Sequence, residues 1–441
     1  MTDTEPRTAD LTEAESIEQL DAWLEENWDP EITVAEWWQR FGLSGWAAPM
    51  WSEDWFGKGV DRATSVAIQN RVAEWGALPA PGGLGLLLAG PTILDHGTDE
   101  QKDTMVRDII TGQKAWCQLF SEPGAGSDLA GLQCKAIKDG DEWIVTGQKV
   151  WTSGSQIADM GMLIARTDSD VPKHQGITYF GIDMHQEGIE VRPLVEMTGR
   201  SLFSEVFISE ARVPDANVIG GLNNGWRVAN STLMHERAGL GAGGGSAAGG
   251  LANPGTIAGH LDRPAGEFVT SQRNRGGGAA IAGRGGINGL IKLAESTGQI
   301  SDPRVRQDLM HLHTRHEIAR MNNLRAKGYA RQGKQIAGLP NIAKLSMSEI
   351  LRLTRDLSLG LLGPAGTLHS YDADGQKALT EATGNPYLPM FTESALFAQG
   401  PPIYGGTDQI QKNIIGERVL GLPKEPNQDK VLPFKELPKN R

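Results

Sequence analysis

The chain has 441 residues, 39% of them hydrophobic, enough for two or three packed regions and a large core. Its formal net charge of −12, with no dense Lys/Arg run, argues against a nucleic-acid binder. Cys117 and Cys134 have no metal-ligand spacing and read as small buried hydrophobes of a reducing compartment. The acidic start, "MTDTEPRTADLTEAESIEQLDAWLEENW", has no basic stretch followed by an apolar run. No apolar run reaches membrane-spanning length, so a cytoplasmic protein without a membrane span is expected.

Residues 1–115 read as a helical domain. "LTEAESIEQLDAWLEENW" has helical spacing and an acidic polar face, and Thr98 is placed to cap a helix containing Gln101 to Ile110. Residues 116–224 change texture. "DEWIVTGQKVWTSG", "MGMLIARTDS", "QGITYFGIDM" and "GIEVRPL" are short, β-rich and separated by Gly, Asp and Pro turns, which predicts a compact antiparallel β domain. Helical patterns return over 225–425, in "NGWRVANSTLMHERAGL", "RQDLMHLHTRHEIARMNNLRAKGYARQ" and "NIAKLSMSEILRLTRDLSLGLLG", and 426–441 forms a tail. No GxGxxG follows a strand, which argues against a Rossmann domain. The Gly-rich stretch from Gly239 to Gly289, with an insertion at about 241–286, is too rich in glycine for a continuous helix and is expected to be a flexible surface segment.

One helix carries a conspicuous acid. Trp226, Ala229, Leu233 and Leu240 share an apolar face, and Glu236 falls on the same face. A carboxylate there is costly unless paired or used. Lost hydration raises its pKa toward the range of a general base, and a structural ion pair with Arg237 is the alternative. His235 lies about 100° around the helix and is expected in a solvated or interface role. His311, His313 and His316 lie at helical spacing without partner cysteines or carboxylates, so no metal site is expected.

Four blocks stand in fixed order: "WCQLFSEPGAGSDLAGLQCKA", "WIVTGQKVWTSG", "GWRVANSTLMHER" and "YGGTDQIQKNIIGERVLGLP". Together, over about residues 20–425, they resemble the acyl-CoA dehydrogenase family. The resemblance implies an α+β multidomain fold: an N-terminal α-helical domain, a middle antiparallel β-barrel and a C-terminal four-helix bundle. It implies FAD between the last two, in a homo- or hetero-oligomer. It also implies FAD contacts at Ser121, Gly126, Trp151, Thr152, Ser153, Thr407 and Gln409, and substrate contacts at Ser127 and Arg237. The substrate would be an acyl-CoA thioester, and the electron acceptor an electron-transfer flavoprotein or similar. Small residues in "EPGAGSD" let backbone approach a planar ring, Ser121 offers a hydroxyl to its pyrimidine edge, and Trp151 offers a flat face.

In the family a base takes the α-proton, and a backbone N–H at the position of Gly405 helps bind the thioester oxygen, an oxyanion-hole arrangement. Here Gly405 has no carboxylate, and the resemblance to members with the base on the "ER" helix points to Glu236, acting on a branched or bulky acyl group. Two alternatives remain: a non-catalytic or FAD-sharing subunit of a heteromer, and a flavin oxidase or monooxygenase on the same fold. Two departures bear on the assembly. Ala294 stands where the family has an Arg for the FAD pyrophosphate, with Thr297–Gly298 for Phe–Gly. Gly360 and Pro364 occupy the places of a Gln and a Gly. Arg273, Arg275 or Arg284 of the Gly-rich stretch could compensate.

Overall fold

A computed structural model of the chain describes residues 12–241, 251–274, 286–330, 332, 334 and 336–438; for 238–241, 270–274 and 330 it describes the backbone alone. The first helix, Glu13–Asn27, opens on a reciprocal cap. Thr12 accepts the Glu15 N–H at 3.3 Å, and the Glu15 carboxylate accepts the Thr12 N–H at 2.9 Å. It buries Leu20 and Leu24 in one core with Trp37, Trp38 and Phe41 of the Val34–Leu43 helix. Both indoles are satisfied: Trp37 donates to the Leu78 carbonyl at 2.7 Å and Trp38 to that of Pro79 at 2.8 Å. Thr98 forms the second such cap, with Gln101, and that helix runs to Ile110 through a π turn at Lys102–Val106.

The middle of the chain is a sheet: β1 (Trp116–Leu119), β2 (Lys135–Asp139), β3 (Glu142–Val150), β4 (Met160–Arg166), β5 (Ile177–Asp183), β6 (Ile189–Leu194), β7 (Phe203–Pro214) and β8 (Val218–Ile219). The strands lie in the order β6-β7-β3-β2-β4-β5-β8, with β1 beside β4. Most neighbours are antiparallel, as the short β-rich runs between turns predict, but β1 and β2 both run parallel to β4. The chain leaves β1, makes the β2–β3 hairpin and returns alongside it, so the tight turn that would reverse direction is missing. Alternation along β1 splits its side chains between two cores. Cys117 and Leu119 enter the sheet's own core, whereas Trp116 and Phe120 join a second core shared with Leu88, Val228 and Ala229. Burial pushes the Cys117 thiol up to about 12 and that of Cys134 up to about 11, which leaves both inert.

Helices follow: Gly225–Gly241, Ala265–Asn274, Ile287–Ser296, Pro303–Ala330, Leu339–Leu362, Ala373–Thr383, Leu388–Phe397 and Asp408–Ile414. The later ones enclose a core of Leu290, Leu293, Leu312, Leu361, Leu388 and Phe391. Among the described residues no helix is long and apolar enough to cross a membrane.

The Gly-rich stretch departs from expectation. Residues 242–250 and 275–285, and the side chains of Leu240, Arg273, Arg275 and Arg284, lie outside the described parts. Between them, Ala252, Ala265 and Phe268 sit in the N-terminal core. Val34 N–H donates to the Arg263 carbonyl at 2.9 Å, Ala265 N–H to that of Ile32 at 2.8 Å, and Gly255 N–H to that of Gly112 at 2.9 Å. At Gly255 (φ +89°) an added Cβ would stand 2.4 Å from the Asp159 carboxylate. The glycine here serves close approach rather than flexibility, which composition alone does not separate.

Candidate functional site

The "SEPGAGSD" segment leaves β1 and folds back on the end of β3. The Val150 N–H donates to the Ser121 carbonyl at 2.9 Å, which brings Ser121 beside Trp151–Ser153. Trp151 stands in the left-handed region, φ +60°, and its side chain is 60% exposed, resting edge-on against Phe203 at 5.9 Å. A bulky residue held in that conformation with its ring in the open is a mark of functional sites. Ser121 and Ser153 are half-buried, and among the described residues neither hydroxyl has a hydrogen-bond partner. Thr152 is different. It is wholly buried; its hydroxyl is taken by Ser155 at 2.9 Å and by the Ser204 carbonyl at 2.9 Å, its N–H donates to that carbonyl at 3.1 Å, and its own carbonyl accepts from the Ser155 hydroxyl at 3.2 Å. Gly126 and Ser127 are exposed at the far end of the loop, and a Cβ at Gly126 would meet nothing.

Beneath this surface lies a carboxylate the sequence reading passed over. Glu122 receives Lys149 Nζ at 2.8 Å, Gln133 N–H at 2.7 Å and Cys134 N–H at 2.9 Å, with both side chains nearly inaccessible. The signal existed: Lys149 follows Trp143 and Val145 on the inward face of β3 by period two.

The Gly225–Gly241 helix carries Glu236. Val228, Ala229 and Thr232 are its fully buried residues, and Trp226 and Leu233 are partly buried against the same core. Polar contacts fix its rotation. Thr232 meets Thr92 at 3.0 Å and the Tyr179 hydroxyl at 3.3 Å, Ser231 meets His96 at 2.7 Å, and His235 meets Asp95 at 2.9 Å. His235 is therefore at an interface, as its position on the helix implied. Lost hydration pushes the Glu236 carboxyl above the usual carboxylate range, opposed first by the nearby Arg237 charge and then by the neighbouring Gln118 amide. Arg237 acts on it as a charge without a hydrogen bond. Burial pushes the Arg237 guanidinium down, with Glu236 opposing and Arg418 adding to the fall.

The "YGGTDQIQ" loop turns on two left-handed glycines, Gly405 (φ +61°) and Gly406 (φ +78°). Gln411 Nε2 clamps it, donating to the Gly405 carbonyl at 3.0 Å and the Gly406 carbonyl at 3.3 Å, while its Oε1 accepts from Asn341 at 2.6 Å. Among the described residues the Gly405 N–H has no hydrogen-bond partner. The Thr407 hydroxyl caps the next helix by accepting the Ile410 N–H at 3.1 Å, and Gln409 is exposed. Beside them, buried Asp408 joins Lys344 at 3.0 Å and Arg352 at 3.2 Å.

The apparent loss of an Arg at position 294 takes a different meaning. Ala294 is wholly buried in the bundle core, where an Arg could not extend to a neighbouring subunit. Thr297 and Gly298 (φ +70°) end that helix, and Gly360 lies in the last turn of its own, which stops at Gly363 (φ +57°), just before Pro364.

Comparison with known proteins gives three family matches along the chain: acyl-CoA dehydrogenase N-terminal domain over residues 6–113, middle domain over 117–210 and C-terminal domain over 273–420. The sequence is 31% identical over 390 residues to acyl-CoA dehydrogenase IpdE1 of Mycobacterium tuberculosis, covering 88% of each chain. It is 48% identical over 200 residues to acyl-CoA dehydrogenase FadE34 of the same organism, a stretch that is 45% of this chain and only 28% of that protein. Among solved structures, the Tcur3481-Tcur3483 steroid ACAD superposes with a TM-score of 0.65 at 24% identity, over 94% of this chain and 97% of the other, a likeness of fold.

Proposed function

Because this chain belongs to the acyl-CoA dehydrogenase family, we propose that it is an FAD-dependent enzyme that uses Glu236 to take the α-proton from a branched or bulky acyl-CoA thioester. As a family member it is an oxidoreductase acting on acyl-CoA. The observation that carries the assignment of Glu236 is its setting: a half-buried carboxylate on a packed helix, with no hydrogen-bonded cation among the described residues and its affinity for protons raised.

The cofactor fits the residues present. An exposed Trp151 ring beside two unpartnered hydroxyls, Ser121 and Ser153, suits a flat ring with a polar edge. FAD supplies the acceptor for the hydride leaving Cβ. The chain's own residues do the rest. Glu236 takes the α-proton, and the free Gly405 N–H donates to the thioester oxygen as negative charge builds there. Ser127 and Arg237 would hold the thioester, and Thr407 and Gln409 would meet the diphosphate or adenosine end of a neighbouring subunit's FAD. The glycine at 405 leaves room near the α and β carbons, which favours branched or bulky acyl groups, and the fold neighbour named a steroid ACAD is in keeping with this. The electron acceptor is an electron-transfer flavoprotein or similar.

Anaerobic mixing of the yellow protein with straight, branched and ring-bearing acyl-CoA thioesters tests the reading. Bleaching by a branched or ring-bearing thioester is expected, and no bleaching by any of them would sink it. Trp151→Ala should retain less FAD after dialysis; full retention would remove the stacking role. A second reading, an FAD-sharing subunit of a heteromer, draws on the two components named in the neighbouring structure. One FAD per subunit in a stable homo-oligomer would exclude it.

A further inference from the structure

We infer that Gln411 is a positioning residue for the oxyanion donor: its buried side-chain amide holds the loop at Gly405 in the conformation that leaves the Gly405 N–H free to meet the thioester oxygen. The inference rests on the reading of that N–H as the donor.

The loop needs such a hold. Gly405 (φ +61°) and Gly406 (φ +78°) are adjacent left-handed glycines, and peptide planes between glycines turn at little steric cost. Backbone bonds bracket the pair. Tyr404 N–H donates to the Gly400 carbonyl at 3.1 Å, and Asp408 N–H to that of Pro402 at 3.0 Å. Between them, Gln411 Nε2 donates to the Gly405 carbonyl at 3.0 Å and to the Gly406 carbonyl at 3.3 Å. Among the described residues no other side chain bonds the backbone of either glycine. With Tyr404 held on one side and the Gly405 carbonyl on the other, the peptide that carries the Gly405 N–H is fixed from both ends. An oxyanion donor works by being aimed before charge develops.

The amide itself has one orientation. Gln411 is 2% exposed, one turn into the Asp408–Ile414 helix. Both Nε2 protons are spent on the two carbonyls, and Oε1 accepts from Asn341 Nδ2 at 2.6 Å. Turning the amide over would set oxygen against oxygen and N–H against N–H. A Cβ at residue 406 would stand 2.6 Å from Nε2, so the amide reaches the backbone because that position has no side chain.

The hold is anchored in the bundle. Asp408 and Gln411, one turn apart, meet Lys344 and Asn341, one turn apart on the Leu339–Leu362 helix. That helix therefore sets where the loop stands.

The test uses flavin-loaded protein and two readouts. One is the infrared carbonyl stretch of a bound acyl-CoA thioester with ¹³C at its carbonyl and sulfur in place of Cβ. This analogue has no hydride to give, so the carbonyl is observed in the resting complex. The other is the rate of flavin reduction by an ordinary thioester. In wild type the bound stretch should fall below that of the free thioester. Gln411→Glu removes the donor to the loop. Asn341→Asp keeps the shape but accepts where Asn341 donates, which draws Nε2 away from the glycines. Both should lose much of the downshift and slow flavin reduction at saturating thioester by about 10–10²-fold, with the half-saturating concentration little changed. Asn341 is half-buried, and its variant carries the test if Gln411→Glu is not recovered folded. A residue that only supports the bundle would lower the unfolding temperature and leave stretch and rate at wild-type values in the folded protein. That result overturns the Gln411 role and leaves the Gly405 donor standing. No downshift in wild type would remove the Gly405 donor, and this inference with it.

Discussion

Glu122 in the sheet is a buried carboxylate and Glu236 on the first C-terminal helix a half-buried one, and their surroundings differ in kind. Glu122 has a buried lysine at 2.8 Å and two backbone amides, a full set of donors. Glu236 has the nearby Arg237 acting on it as a charge, and its proton affinity rises. A fully partnered carboxylate is a structural part, because its lone pairs are spent on holding the loop. A carboxylate with few donors keeps a lone pair for a proton, and that is what a general base needs. The molecule thus pairs a locked acid with a poised one.

The contrast is broken most sharply at the poised end. Glu236→Gln keeps the shape but has no basic lone pair. Flavin reduction by thioester should fall by about 10²–10⁴ while flavin binding is kept. Near-normal reduction would put Glu236 in the same structural class as Glu122. At the locked end the effect should appear in stability. Lys149→Met leaves Glu122 charged and buried without its cation, which should cost about 3–5 kcal/mol, read from urea unfolding. A loss within ~0.5 kcal/mol, the range of ordinary surface substitutions, would mean that the buried pair locks nothing.

Sequence alone separated these two acids only in part. Helical spacing marked Glu236, because one acid on an apolar face breaks a strong pattern. The β-rich runs of β3 to β6, set off by Gly, Asp and Pro turns, were also readable, as were the Thr98 cap and the helical runs around them. Glu122 was hidden inside a motif read for its small residues, although Lys149 on the inward face of β3 was the clue. The packed part of the Gly-rich stretch was unreadable for another reason. Glycine count reports backbone freedom, whereas the outcome depends on Ala252, Ala265 and Phe268 finding a distant core. The burial of Ala294 in the bundle core was likewise not readable from the motif.

A third carboxylate extends the comparison. Asp408 lies next to the Thr407 cap, with Lys344 and Arg352 as partners and a side chain almost closed to water. Burial pushes its carboxyl up, but hydrogen bonds and these cations outweigh that and hold it below the usual range. Because two cations share it, losing one should hurt less than losing Lys149. Lys344→Met is expected to cost about 1.5–3 kcal/mol, with Arg352 keeping the charge neutralised. A loss as large as that of Lys149→Met would mean that Arg352 contributes nothing.

The smallest expected effect concerns Asp159, where the Gly-rich stretch meets the sheet. It is almost wholly buried and accepts from Ala115 N–H at 2.8 Å, from His185 at 3.1 Å, and from both the N–H and the hydroxyl of Thr256. Burial pushes its carboxyl up, but the Thr256, Ala115 and His185 hydrogen bonds outweigh that and leave it below the ordinary aspartate value. A depressed folded-state pKa fixes the sign. The stabilisation is complete above the ordinary aspartate value and is lost as pH falls through the lower, folded one. Thr256→Val keeps the backbone bond and removes the hydroxyl, so at neutral pH it should cost about 1 kcal/mol. Its acid unfolding should begin at a higher pH than in wild type, because the carboxyl is then easier to protonate. In an Asp159→Asn background the acid shift from Thr256→Val should vanish. If it persists there, the hydroxyl acts through packing, and Asp159 is not the locked acid that fastens the Gly-rich stretch to the sheet.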